Sequence, residues 1–120
     1  MPLSLVIVDD SLPFLRSASA LLEKEGLRVL GVASEPAGAQ ALVARTRPDV
    51  VLVDLHLGRL SGLDLARELV PDGQTGPVVI IVSATPDAEA LDLVREQATY
   101  GFLPKPDLSA AAIVALAREP

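Results

Sequence analysis

The sequence predicts an α/β fold, in which helices cover both faces of a parallel sheet. Short apolar segments alternate with amphipathic ones along the chain, and this alternation is typical of repeated strand–helix units. Three of the apolar segments are continuous and rich in β-branched residues, as in strands that are buried on both faces. A chain of 120 residues is long enough for one core, so we expect a single domain over 1–120.

Five segments are predicted as strands, and their apolar character indicates their place in the sheet. The three most apolar, at 4–8, 50–53 and 78–82, are expected in its centre, whereas those at 27–33 and 101–103 are expected at its edges. With the first strand in the middle, the order 2-1-3-4-5 satisfies these expectations. That is the order of the flavodoxin-like fold, whose ligands bind between strands 1 and 3.

The helices are predicted from capping residues, first-turn prolines and apolar spacing. The first helix is expected to begin near Pro13 and to end near Gly26. Its apolar face is expected to comprise Phe14, Ala18, Leu21 and Leu22. The other four helices are expected to start at Ser34-Glu35-Pro36, at Ser61-Gly62-Leu63-Asp64, at Thr85-Pro86-Asp87 and at Asp107 or Ser109. Residues 55–62 are predicted as a loop.

The composition excludes several classes of function. A net charge of −6 leaves no basic surface for phosphates, so direct nucleic-acid binding is not expected. The absence of cysteine excludes disulfides, thiolate catalysis and cysteine-based zinc sites. No apolar run approaches the roughly 20 residues of a membrane span, and the first residues lack the basic start of a signal peptide. We therefore expect a cytoplasmic protein that does not bind membranes.

Polar side chains follow four of the predicted strands at the point where each strand ends. They are Asp9 and Asp10 after strand 1, Asp54 after strand 3, Ser83 after strand 4 and Lys105 after strand 5. Because parallel strands end at the same edge of a sheet, these side chains are expected to converge there. Taken singly, each has a simpler interpretation as a loop residue, a helix cap or an exposed turn charge. Their combination at one edge indicates a binding site.

The chemistry that this group favours is phosphoryl transfer to a carboxylate. Three crowded carboxylates repel one another, and a divalent cation together with an ammonium would relieve the repulsion. Mg²⁺ prefers oxygen ligands, usually one or two carboxylates with waters and phosphate oxygens. Lys105 would supply a positive charge for a phosphoryl group, and Ser83 would donate a hydroxyl. Asp54 is the best candidate for the nucleophile, because Asp9 and Asp10 form the better metal-binding pair.

The chain resembles the receiver domains of response regulators in two-component signalling, over essentially all 120 residues. The stretches that match are IVDD at 7–10, PDVVLVD at 48–54, SGLDL at 61–65, SA at 83–84 and GFLPKP at 101–106. Within the family, the chain is most similar to receivers of regulators that carry a C-terminal helix-turn-helix, judged by Phe14 and Leu21-Leu22 in the first helix.

The resemblance implies a role for each acidic residue. Asp54 would be the phosphoacceptor and would contribute to a Mg²⁺ site. Asp9 and Asp10 would hold the Mg²⁺, and the backbone carbonyl of His56 would be a further ligand. The His56 side chain would then be a solvent-side neighbour of Asp54 rather than a metal ligand.

The resemblance also implies a two-state switch. Lys105, joined to Pro106 by a cis peptide bond, would contact the phosphoryl group. Ser83 would swing toward the phosphoryl oxygens, and Phe102 would turn inward behind it. This movement would remodel the face formed by the fourth helix, the fifth strand and the fifth helix.

The partners that the resemblance implies are a sensor histidine kinase, which donates the phosphoryl group, and an output domain or separate protein that responds to it. In the helix-turn-helix regulators the response is regulation of transcription. A homodimer that forms on phosphorylation is a further expectation. Catalysis would be limited to self-phosphorylation and autodephosphorylation, so the chain is not expected to be an enzyme in the ordinary sense.

The chain departs from the family at three places. Leu57-Gly58-Arg59 stands where Met-Pro-Gly is usual, Gln97-Ala98-Thr99 stands where Ala-Gly-Ala is usual, and Phe102 lacks a hydroxyl. A further segment has two interpretations, because Leu12, Pro13 and Leu15 could form part of a kinase-docking patch or could be ordinary packing at a helix start.

Three other functions are alternatives, and the residues present argue against each of them. A receiver-like protein-interaction domain that phosphorylation does not regulate would be expected to lack one of the acidic residues. A Mg²⁺-dependent phosphohydrolase would have its nucleophile after strand 1 and a second acid two residues later, where Ser11 stands. A flavin or nucleotide carrier would need a glycine-rich loop after strand 1, and none is present.

Overall fold

A computed structural model describes residues 2–70, 76–84, 91–92, 94 and 100–118, and its main sheet is the predicted one. Five parallel strands lie in the order β2-β1-β3-β4-β5. Their bounds are β1 (Ser4–Val8), β2 (Arg28–Ala33), β3 (Val50–Asp54), β4 (Val78–Ser83) and β5 (Gly101–Pro104). The sequence prediction of the flavodoxin-like fold is therefore confirmed.

The strand register aligns the ends of the four strands that carry the predicted site. Val8 is opposite Val53, so the residues that follow β1 lie beside the end of β3. Asp54 is opposite Val82, and Ser83 is opposite Pro104. The polar residues at the ends of β1, β3, β4 and β5 therefore meet at one edge of the sheet, as expected for parallel strands.

Four helices are described in full. They are α1 (Leu12–Lys24), α2 (Pro36–Thr46), α3 (Gly62–Leu69) and the C-terminal helix (Ala110–Ala117). A 3₁₀ turn at Lys105–Asp107 connects β5 to the C-terminal helix. The predicted helix start at Thr85-Pro86-Asp87 and the segment Gln97-Ala98-Thr99 lie outside the described residues.

The core has two layers, because successive residues of a strand point to opposite faces of the sheet. Val6 and Val8 of β1 pack in the layer under α2 and α3. Leu5 and Ile7 pack in the other layer, with α1 and the C-terminal helix. All four are fully buried, and burial of such a side chain stabilises a fold by about 1.5–3 kcal/mol. The continuous apolar runs of the central strands are thus explained by helices on both faces.

Two local predictions are wrong. The buried face of α1 consists of Leu15, Ala18 and Leu22, whereas Phe14 is half-buried and Leu21 is exposed. Residues that are three and four positions apart share a helix face, and the spacing of Leu15, Ala18 and Leu22 leaves Leu21 at the edge of the buried face.

Residues 55–62 are not simply a loop, because His56–Leu57 pairs with Leu60–Ser61 in a short antiparallel hairpin.

The hairpin has a two-residue turn, Gly58-Arg59, at its tip. Gly58 has a φ of 62°, and a glycine at the first turn position is typical of type II′ hairpin turns. Among the residues described, no helix has the length and apolarity to cross a membrane.

Candidate functional site

Three carboxylates lie at the carboxyl edge of the sheet, where β1 and β3 end side by side. Carboxylate oxygens of Asp9, Asp10 and Asp54 all lie within 4.8 Å of one another. Asp9 and Asp54 are buried, and Asp10 is exposed. The structure therefore brings together the three acids that were predicted from the strand ends.

Asp9 links the sheet edge to the start of α1. Its Oδ1 accepts a hydrogen bond from the backbone N–H of Ser11, with an N···O distance of 2.8 Å. Ser11 is the N-cap of α1, and its hydroxyl accepts from the N–H of Phe14. The Asp9 Oδ2 atom is 2.7 Å from the ammonium nitrogen of Lys105 and receives no further hydrogen bond within the described part of the chain.

Asp10 is held by the hairpin that follows β3. The N–H of Gly58 donates to Asp10 Oδ2 across 2.9 Å. This bond connects two segments that are far apart in sequence, and it leaves the other Asp10 oxygen available for a ligand.

Asp54 is a buried carboxylate whose contacts with the nearest hydrogen-bond donor and the nearest cation are long. The N–H of His56 lies 3.4 Å from its Oδ1, and the Lys105 ammonium nitrogen lies 3.6 Å from its Oδ2. The pKa of Asp54 is raised, first by burial and then by the negative charge of Asp9, with a smaller contribution from Asp10. The Lys105 charge and the His56 N–H oppose this rise in pKa. An added cation at this edge would stabilise the ionised carboxylate.

Lys105 reaches the acids from the 3₁₀ turn that follows β5. Its side chain is only 17% exposed, and its ammonium nitrogen lies 4.1 Å from the centroid of the Phe14 ring. The predicted cis bond to Pro106 is wrong, because no described peptide bond is cis. With trans geometry the chain continues into the 3₁₀ turn, which the Leu108 N–H closes by donating to the Lys105 carbonyl.

The two predicted switch residues lie on neighbouring strands. Ser83 is buried at the end of β4. Phe102 is half-buried in β5, in register with Ile81, and packs on the core layer under α2 and α3. The imidazole of His56 is exposed. The roles of Ser83, Phe102 and the His56 carbonyl stay predictions.

Two residues that contact the site were missed by the sequence reasoning, since the Phe14 ring contacts the Lys105 ammonium and the Gly58 N–H donates to Asp10. Phe14 was assigned to the core face of α1, although it lies in the first turn of that helix, a few residues after β1 in the sequence. Gly58 was noted only as a departure from the family pattern. Of the segment with two interpretations, Leu15 is buried and fits ordinary helix packing, whereas Leu12 and Pro13 are exposed and stay candidates for a docking patch.

The residues present fit a hard divalent cation. The donors are all carboxylate oxygens, which Mg²⁺ prefers, and Mg²⁺ is commonly held by one or two carboxylates while it keeps several waters. The buried Asp9 Oδ2 has only Lys105 as a partner among the described residues, and the exposed Asp10 opens the group to solvent. Together, Asp9, Asp10 and Asp54 could hold such an ion.

Comparisons with known proteins bear on the family and the fold of the chain. The family model for the response regulator receiver domain matches residues 5–117. Among solved structures, the receiver domain of the response regulator NarL from Mycobacterium tuberculosis has a similar fold. Its TM-score is 0.84 at 24% sequence identity, and the match covers 99% of this chain and 98% of that one.

Two curated relatives differ in how much of their length is matched. The PilH protein of Pseudomonas aeruginosa is 36% identical over 104 residues, which cover 85% of this chain and 84% of PilH. A protein-glutamate methylesterase/protein-glutamine glutaminase of Hahella chejuensis is 33% identical over 105 residues. That match covers 87% of this chain but only 30% of the relative.

Proposed function

This chain belongs to the response regulator receiver family, and on that premise we propose that it is the phosphoacceptor of a two-component phosphorelay. Asp54 would receive a phosphoryl group from a histidine of a sensor kinase in a Mg²⁺-dependent reaction. The observation that most supports the proposal is the Lys105 ammonium, which lies between Asp9 and Asp54 at 2.7 and 3.6 Å. Phosphoryl transfer is catalysed by positive charges that are held around the transferred group. Here a lysine ammonium and a cluster of carboxylates that can hold a metal ion lie beside the acceptor carboxylate.

The transfer is a displacement at phosphorus. An oxygen of the Asp54 carboxylate forms a bond to phosphorus while the bond from phosphorus to the kinase imidazole nitrogen breaks. The nitrogen keeps the bonding electron pair and takes up a proton. Lys105 holds the phosphoryl group through its positive charge. Mg²⁺ bound by Asp9, Asp10, Asp54 and the His56 carbonyl would neutralise charge on the phosphoryl oxygens.

The response would pass through Ser83 and Phe102. Ser83 ends β4 and Phe102 lies in β5, so a hydroxyl that moves toward the phosphoryl group and a ring that moves inward would act on adjacent strands. The surface that changes would include β5 and the C-terminal helix. That helix contains only apolar residues, which suits a surface that contacts a partner or a second copy after phosphorylation.

Which domain or protein this receiver would control depends on the complete protein. The chain spans 30% of the length of the methylesterase relative but 84% of PilH, so a receiver of this kind occurs both with and without a large second domain. We propose a single receiver domain over 1–120 that controls an output domain or a separate protein. A helix-turn-helix output that regulates transcription is one such target. The catalysis of the receiver domain itself would be limited to self-phosphorylation and autodephosphorylation. We expect it to act in the cytoplasm.

The kinase would approach the exposed rim of the acidic group. Leu12 at the start of α1 is 58% exposed, and Leu60 in the hairpin is 55% exposed. Leu12 lies two residues after Asp10, and Leu60 lies in the hairpin that follows Asp54. Exposed apolar side chains beside a reactive group are suited to contact a partner protein.

The test is the intact mass of the protein after incubation with acetyl phosphate, with and without Mg²⁺. We expect one phosphoryl adduct that requires Mg²⁺, that is absent in Asp54→Asn and that persists in Asp64→Asn. Asp64 is a suitable control because it is an exposed acid, paired with Arg67 on α3. Failure to form an adduct under any condition would favour the interaction domain that phosphorylation does not regulate.

A further inference from the structure

The ammonium of Lys105 has an aromatic neighbour in addition to its two carboxylates. Its nitrogen lies 4.1 Å from the centroid of the Phe14 ring, well within the range of about 6 Å for a cation–π contact. The same nitrogen lies 2.7 Å from Asp9 Oδ2 and 3.6 Å from Asp54 Oδ2. Two anions and one ring therefore surround the cation.

The start of α1 determines where the Phe14 ring lies. Ser11 caps the helix, and its hydroxyl accepts from the Phe14 N–H across 3.3 Å. Asp9 in turn accepts from the Ser11 N–H. One short segment thus supplies both the carboxylate and the ring that contact Lys105. The buried face of α1 is formed by Leu15, Ala18 and Leu22, so the half-buried Phe14 is not a central residue of that face.

We propose that Phe14 is a positioning residue, whose ring face holds the Lys105 ammonium beside Asp54 in readiness for the phosphoryl group. A third carboxylate in this place would neutralise the cation and worsen the repulsion among the acids. The ring attracts the cation without adding a net negative charge. It also shields the ammonium from water, and Lys105 is only 17% exposed.

The proposal rests on the proposed phosphoacceptor function and predicts a rate effect. Without the ring, the ammonium would keep its close contact with Asp9 but would sample more positions relative to Asp54. The energy of a partly buried cation–π contact corresponds to a loss of about three- to tenfold in the rate of phosphorylation. Mg²⁺ affinity should change little, since Phe14 offers no ligand atom.

The decisive experiment replaces Phe14 with mono-, di- and trifluorophenylalanine, which retain the ring shape but weaken the attraction of its face for a cation. We expect the rate with acetyl phosphate at saturating Mg²⁺ to fall stepwise with each fluorine. Phe14→Tyr should retain the rate, and Phe14→Leu should lose as much as the trifluoro residue. Leu21, an exposed position on the same helix, is the control position, and phenylalanine and trifluorophenylalanine placed there should give equal rates.

A second measurement does not depend on phosphorylation. In the unphosphorylated protein, the Cε protons of Lys105 should show an upfield ring-current shift in NMR spectra that disappears in Phe14→Leu. Exchange of the ammonium protons with water should accelerate along the fluorine series. Equal rates and equal exchange throughout the series would overturn the role of Phe14. A protein that forms no phosphoryl adduct but shows both NMR effects would instead overturn the proposed function and leave the Phe14–Lys105 contact established.

Discussion

The backbone N–H of Gly58 donates a hydrogen bond to Asp10 Oδ2 across 2.9 Å. Family members with proline at this position have no N–H to donate there. The bond restrains an exposed carboxylate that would otherwise be free to rotate, and it ties the hairpin tip to the proposed metal site. Partners of this kind orient metal ligands and commonly change metal affinity when they are removed.

Substitution of Gly58 should therefore change Mg²⁺ affinity according to whether the N–H is kept. Gly58→Pro removes the donor and also cannot adopt the φ of 62°, so we expect Mg²⁺ affinity to fall by about tenfold. Gly58→Ala keeps the donor but strains a backbone with a φ of 62°, so it should cost about 1–2 kcal/mol of stability with a smaller effect on Mg²⁺. Calorimetric titration measures the affinities, and equal losses in the two variants would contradict the role of the hydrogen bond.

The raised pKa of Asp54 predicts that its negative charge destabilises the metal-free protein. Burial is the largest cause, followed by the charge of Asp9. Asp54→Asn should therefore raise the free energy of unfolding at pH 7 by about 1–2 kcal/mol, as measured by urea denaturation. Saturating Mg²⁺ should reduce the difference by stabilising the wild type. The exposed Asp64→Asn should change stability by less than about 0.5 kcal/mol.

The raised pKa of Asp54 also predicts how the stability difference between Asp54→Asn and the wild type depends on pH. For an acid whose pKa is higher in the folded state, the stabilisation from proton binding is fully present below the unfolded-state pKa. It is lost as pH rises through the folded-state pKa. The advantage of Asp54→Asn should therefore be small in acid, grow across the window between the two pKa values of Asp54, and level off above it. An advantage that grows as pH falls would contradict the raised pKa.

Gly62 is predicted to be intolerant of any side chain. A Cβ atom at this position would lie 2.0 Å from the backbone oxygen of Asp54, so Gly62→Ala must displace either α3 or the end of β3. We expect a loss of about 1–3 kcal/mol in stability and slower phosphorylation of the displaced Asp54. Gly38→Ala is the control, because its Cβ would meet only the Ala33 side chain at 3.9 Å. That helical position should gain up to about 1 kcal/mol.

The sheet and the acidic group could be predicted because both follow from strand ends. Once Ser4–Val8 and Val50–Val53 were recognised as adjacent buried strands, the residues after them had to be neighbours. The buried face of α1 could not be chosen in the same way, because Leu12, Phe14, Leu15, Leu21 and Leu22 spread over about half of the helix circumference. Packing selects which part of that half is buried. The Gly58 bond and the Phe14 contact depend on the hairpin angle and on one rotamer, which local sequence does not determine.

The N-terminus of the C-terminal helix is held by a residue from the far end of α1. A carboxylate oxygen of Glu25 accepts a hydrogen bond from the Ala110 N–H across 2.7 Å, in addition to the cap that Ser109 supplies at Ala112. A negative charge at a helix N-terminus is favourable, so Glu25→Ala should lower stability by about 0.5–2 kcal/mol. Glu25→Gln keeps an acceptor and should lose less, and Glu23→Ala, at an exposed position on the same helix, should be nearly neutral. Amide hydrogen exchange of residues 110–113 should accelerate in Glu25→Ala alone, and uniform acceleration across the sheet would show instead that Glu25 acts on global stability.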